Sequence, residues 1–120
     1  MRLERGRLWE SRAAEYLESH GLTVLARGYR CRLGEIDLVC RDDRHLVIVE
    51  VRARSSGALC SAVESIGPHK RRRIVLATRH LLMRHGEWQA APIRFDVVAF
   101  DAIDQAEPEV RWIKNAFDGS

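Results

Sequence analysis

The apolar positions of this chain recur in two rhythms. Glu10, Ala13, Ala14 and Leu17 stand at i, i+3, i+4 and i+7, joined by Trp9 and Tyr16. That spacing predicts a helix from Arg7 to His20 whose inward stripe includes Glu10. Gly21 follows the last turn, where a C-terminal glycine is expected. Thr23 to Arg27 then reads as a short strand, with "RGYR" after it as a bend or ragged edge. Gly34 to Cys40 and Leu46 to Ala53 carry strand patterning and are joined by the polar turn "RDDR" and His45. Ser55 to Gly67 is small and turn-rich, a loop. Pro68 is placed to open a second helix running to about His85, with Ile74, Val75, Thr78, Leu81 and Leu82 facing the core. "GEWQAAP" is another loop, Ile93 to Phe100 a strand, and Val110 to Lys114 a further short one. The order α-β-β-β-α-β describes an α/β fold in one domain, residues 1–120.

Three acids interrupt this patterning. Glu35, Asp37 and Glu50 lie inside apolar strand runs, where a carboxylate is costly to bury. Side chains alternate along a strand, so Glu35 and Asp37 share one face, as do Glu50 and Arg52. A hairpin closed by the four residues Asp42 to His45 sets Asp37 opposite Glu50, with Cβ atoms roughly 4.5–5.5 Å apart. A slip of one residue would separate them. Two carboxylates at that distance repel, and a divalent cation removes the conflict. Mg²⁺, or Mn²⁺ in its place, takes oxygen ligands and keeps open positions for substrate phosphates. Asp37, Glu50 and the carbonyl of Val51 would supply such a partial shell, and the cation would act as Lewis acid and generate hydroxide. Arg52, on the Glu50 face, would place a fixed positive charge beside a scissile phosphate. The plainer alternative is that these acids pair with arginines at a sheet edge.

Charge sharpens the picture. The formal net charge is only +3, yet Pro68 to Gly86 holds six Lys/Arg and no acid, while Asp101 to Glu109 holds four acids and no base. Eighteen of the 20 basic residues are arginine, which favours bidentate phosphate contacts. A basic stripe of this kind suits a polyanion, although a solvated helix face looks the same in sequence. Lys70 and Arg71 at the start of the second helix, and Arg54 on the Arg52 face, are the expected nucleic-acid contacts. Glu64 is a minor candidate ligand. Asp96, in an apolar strand, is expected to pair with an arginine. His45, His69 and the other histidines show no ligand spacing and are read as surface residues. Trp88 and Trp112 offer stacking faces but fit packing better. With 46% apolar and 31% charged residues the chain is expected to fold. It has no apolar run long enough for a membrane span, and "MRLERGRLWE" lacks a signal-peptide core, so a cytoplasmic protein with no membrane partner is expected. Cys31, Cys40 and Cys60 are odd in number and form no CxxC pair, which argues against a disulfide framework or zinc site. All three are read as reduced and mostly buried.

"GEIDLV", a turn and "LVIVEVRAR" resemble the YraN family of small bacterial proteins. So do the helix carrying Glu10, "ARGYRCRLGEID", "PHKRRRI" and "RFDVVAF", and the resemblance covers nearly the whole chain. That family belongs to the restriction-endonuclease-like superfamily and is similar to archaeal Holliday junction resolvases. The resemblance implies a mixed sheet flanked by helices. It maps the superfamily's metal acids onto Asp37 and Glu50, with Glu10 joining from the first helix. It implies a Mg²⁺- or Mn²⁺-dependent nuclease acting on DNA, branched or single-stranded. A homodimer would suit junction cleavage. Two positions depart from the pattern. The motif lysine is Arg52 here, and arginine cannot serve as a base. Trp9 stands where the family usually has glycine. The alternative is a catalytically degenerate nucleic-acid-binding module of the same fold, and a third reading is an interaction subunit using the acidic segment Asp101–Glu109.

Overall fold

The computed structural model describes residues 2–58 and 60–119, with side chains from residue 6 onward. Helix α1 (Arg2–Ser19) is followed by strands β1 (Thr23–Cys31), β2 (Gly34–Arg41) and β3 (Leu46–Ala53). Helix α2 (Pro68–Arg84), a short 3₁₀ turn at Gly86–Trp88, and strands β4 (Ile93–Asp101) and β5 (Glu109–Phe117) complete the chain. The five strands lie in sequence order. β3 and β4 pair in parallel, with α2 in the crossover between them, and the other pairs are antiparallel. The sheet is therefore mixed, and the expected α/β order holds. No helix among the described residues is long and apolar enough to cross a membrane.

Alternation along β3 divides the core. Val47 and Val49 join Leu38, Cys40, Val98 and Phe100 under α1, where Ala13, Ala14 and Leu17 are fully buried. Leu46 and Ile48 join Ile36, Val39 and Phe95 under α2, where Ile74, Ala77 and Leu81 face inward. Strands covered on both faces read as near-continuous apolar runs, which is why β3 shows no polar alternation until Glu50. A third apolar patch, Ala62 and Ile66 on Val97 and Ala99, seats the 55–67 loop on the sheet beside α2.

Several local expectations hold for identifiable reasons. Gly21 adopts φ 92°, and the amides of Gly21 and Leu22 close onto the carbonyls of Glu18 and Leu17. Pro68 opens α2 behind Gly67. The β2–β3 loop is Asp42–His45, since Arg41 pairs with Leu46. The Asp42 carboxylate closes it by accepting the backbone N–H groups of Arg44 and His45. Asp96 pairs with Arg94 through two 2.9 Å hydrogen bonds and also accepts from the Trp112 indole and the Asn115 amide. It thereby fills the irregularity where the β4–β5 register shifts after Phe95. The tryptophans pack: Trp88 stacks on His85, Trp112 meets Tyr16 edge-on, and Trp9 lies 4.7 Å from Phe100.

Other expectations need correction. β1 does not stop at Arg27; Arg27, Tyr29 and Arg30 all keep partners in β2, because Gly28 at φ 63° lets the strand continue through "RGYR". β5 extends to Phe117, with Asn115 at φ 52°. Cys40 is buried and its thiol pushed up to about 12 by burial, but Cys31 is only half-buried and Cys60 is exposed; all three are free. His45 is only partly exposed: its Nδ1 is buried, 3.4 Å from the Asp42 carboxylate.

Candidate functional site

The β2–β3 ladder pairs Cys40 with Val47, Val39 with Ile48 and Leu38 with Val49. The next step of this register brings Asp37 to Glu50. There the strands part, and the Val51 N–H is met by the Asp37 side chain, Oδ2 accepting at 2.8 Å. A carboxylate has replaced the missing ladder carbonyl. The N–H and C=O of one strand residue point to the same side, so the Val51 carbonyl is also turned toward β2.

Glu50 is 3% exposed, and its Oε2 has no hydrogen-bond partner. Its carboxyl is raised to about 9, first by burial and then by a hydrogen bond and charge from Asp37. Lys70 and Arg52 pull the other way and are outweighed. Glu10 reaches the same place from α1, anchored by the neighbouring buried Trp9 and Ala13. Burial, then the charges of Asp37 and Glu35, raise it to about 7, and it lies within hydrogen-bonding reach of Asp37. Asp37 thus bridges two acids that both resist ionising. Such a chain of carboxylates is held together by shared protons or by a cation. The orphaned Glu50 oxygen, the Asp37 carboxylate and the Val51 carbonyl fit a hard divalent ion. Among the described residues no three His, Cys, Asp or Glu side chains form a ready-made ligand group. The protein therefore offers a partial shell.

Asp37, Glu10 and Val51 line an open cleft of about 830 Å³ between α1, β1 and the end of β3. Arg52 and Arg54 also line it. Arg7, Arg27 and Arg30 join them. Arg27 and Arg30 were missed because "RGYR" reads as a bend, the signal available being a pair of arginines flanking Gly28 and Tyr29 in a strand, while Arg7 comes from α1. Neither Glu50 nor Lys70 lines the cleft, although Lys70 stands 3.8 Å from Glu35, which does.

The bases fall into different environments. Arg52 donates from Nε to the Ser65 hydroxyl at 3.1 Å and from Nη2 to the Ser65 carbonyl at 3.2 Å. Arg54 donates to the Ala53 carbonyl. Lys70 Nζ stands 3.6 Å from Glu50 Oε2 and 3.8 Å from Glu35 Oε1. Arg71 is turned elsewhere, donating to the Ile66 carbonyl with its guanidinium over Phe117. Glu64 is exposed and closes a local turn with Ser61, so it does not join the acids.

A model of uncharacterised protein family UPF0102 matches residues 9–100, a span that contains Glu10, Asp37, Glu50 and Lys70. A UPF0102 protein of Pseudomonas fluorescens is 42% identical over 113 residues, covering 94% of this chain and 92% of that protein. A UPF0102 protein of Legionella pneumophila is 41% identical over 118 residues, 98% of each chain.

Proposed function

For this chain, a member of uncharacterised protein family UPF0102, the YraN family, we propose a divalent-metal-dependent nuclease that hydrolyses DNA phosphodiesters, on branched or single-stranded substrates. The observation that carries this reading is the buried Glu50 carboxylate, one oxygen of which makes no hydrogen bond, beside Asp37, which lines an arginine-rich cleft. The order of elements and the mixed sheet support a restriction-endonuclease-like core. Asp37, Glu50 and the Val51 carbonyl would hold Mg²⁺ or Mn²⁺, with Glu10 alongside. Mg²⁺ there would supply Lewis-acid polarisation of the phosphate and a lowered pKa for water. Asp37 is held for this by the Val51 N–H. Glu10, within hydrogen-bonding reach of Asp37, would take the proton that water loses as its oxygen bonds to phosphorus. The ester P–O bond would break, and the leaving oxygen would take a proton from water in the open cleft. Arg54, Arg7, Arg27 and Arg30 orient the nucleic-acid backbone along the cleft.

A second reading, a nucleic-acid-binding module with a degenerate site, is favoured by one observation: Arg52, at the position of the superfamily's motif lysine, is bound to Ser65. Labelled single-stranded, duplex and four-way-junction DNA, incubated with Mg²⁺ or Mn²⁺ and with chelator, separates the two. Cleavage that needs metal and is lost in Asp37→Ala and Glu50→Ala is expected. Salt-dependent DNA binding without cleavage would leave the binding module instead.

A further inference from the structure

Lysine is rare in this chain. Only Lys70 and Lys114 are lysines, against 18 arginines. Lys114 has a surface use, its ammonium 4.4 Å over the Trp112 ring. Lys70 is set among the acids. It rises from the first turn of α2 with its side chain 29% exposed, between Glu35 and the Glu50 oxygen that makes no hydrogen bond. The turn that carries it is locked to the sheet: a Cβ at Gly34 would stand 2.5 Å from the Arg73 carbonyl oxygen, so α2 and β2 meet backbone to backbone one turn beyond Lys70. The base on β3 itself, Arg52, has swung onto the 55–67 loop.

We propose that Lys70 is the cationic residue that contacts the scissile phosphate beside Glu50, and that Arg52 is a positioning residue tethering the 55–67 loop. The proposal rests on the nuclease reading and extends it to a residue on a different element. An ammonium suits this position better than a guanidinium. Arginine's planar fork would take Glu50 in a bidentate pair and hold it there. Lysine is a compact charge with three donors, able to leave one toward Glu50 and turn another to a phosphoryl oxygen. At 3.6 and 3.8 Å Lys70 forms ion pairs with both carboxylates but a hydrogen bond with neither, which leaves its donors free to turn toward a third oxygen. As water oxygen bonds to phosphorus and the ester P–O bond breaks, Lys70 would keep its proton and balance charge on the non-bridging oxygens.

The experiment compares wild type with Lys70→Met, Arg52→Met and Lys114→Met. Mn²⁺ affinity is read by electron paramagnetic resonance titration, DNA cleavage at saturating Mn²⁺, and folding by thermal melting. Removing an ammonium beside the acids should tighten Mn²⁺ binding roughly threefold while cleavage falls about 100-fold or more. Arg52→Met should lose less than about tenfold in cleavage and tighten Mn²⁺ binding less than Lys70→Met does, since its charge acts on Glu50 more weakly than that of Lys70. Lys114→Met should match wild type. Tighter metal binding with lost cleavage in a folded Lys70→Met is a combination that a merely structural lysine would not produce. Lys70→Met cutting at wild-type rate, or Arg52→Met losing as much as Lys70→Met, overturns the proposal. A wild type that binds Mn²⁺ but cuts nothing sinks the nuclease reading alone. Mn²⁺ affinity unmoved by Lys70→Met would then overturn this proposal too, and tightened affinity would uphold the placement of Lys70. A wild type that binds no Mn²⁺ overturns both.

Discussion

Gly34→Ala should be felt at both the fold and the site. The new Cβ would stand 2.5 Å from the Arg73 carbonyl oxygen, 3.0 Å from its carbon and 3.1 Å from its Cβ. The first two are helix backbone and cannot rotate away. Restoring an ordinary contact near 3.4 Å requires helix and strand to separate by roughly 0.9 Å. Overpacking of this kind costs about 1–3 kcal/mol. For a domain of this size that lowers the melting temperature by roughly 4–12 °C. Because Arg73 lies one turn past Lys70, the displacement also carries the Lys70 ammonium away from Glu50. Gly6→Ala is the control: Gly6 is helical with nothing within 4 Å of an added Cβ, and alanine there should stabilise by about 0.5–1 kcal/mol. Thermal melts of the three proteins at one pH test the pair. A Gly34→Ala variant that melts with wild type would show that α2 does not rest on β2 at this point.

Asp37→Asn keeps an oxygen for the Val51 N–H, so its melting should stay within about 1 kcal/mol of wild type. Its Mn²⁺ affinity should fall at least the roughly 10–100-fold seen for outer-shell partners, measured by calorimetric titration; equal affinity would remove Asp37 from the metal site. In the metal-free protein Glu10 and Glu50 are raised from 4.5 to about 7 and about 9, so between those values the folded chain holds protons that the unfolded chain has lost. Their contribution is fully present below pH 4.5 and is lost as pH rises through 7 and 9. Urea melts of wild type and Glu50→Gln from pH 5 to 9 should show a decline that Glu50→Gln reduces, and parallel curves would contradict it. Asp96→Ala leaves Arg94 without its two bonds and orphans the Trp112 and Asn115 donors, costing about 3–5 kcal/mol. A urea midpoint close to wild type would show that Asp96 is not the hub of that corner.

Local sequence determined much of this protein. The apolar stripes set which faces of α1 and α2 turn inward, and Gly21 and Pro68 mark helix ends through backbone preferences that need no tertiary partner. The length and turn chemistry of Asp42–His45 set the hairpin register, and with it the approach of Asp37 to Glu50. Sequence resemblance supplied the family. What depended on distant packing was not legible. β1 runs through "RGYR" because β2 lies beside it and offers partners, which no window of β1 contains. Cys60 is exposed although cysteines are usually buried, because its loop crosses the surface. The division of labour between Arg52 and Lys70 is the clearest case. Spacing along β3 puts Arg52 on the Glu50 face, but Ser65, thirteen residues later, captures its guanidinium. Lys70 stands twenty residues from Glu50 in sequence and 3.6 Å away in space, because the bare backbone of Gly34 lets α2 come down onto the sheet. Periodicity reports which face a side chain leaves from; where a long flexible base comes to rest is decided by the partners that the rest of the fold delivers.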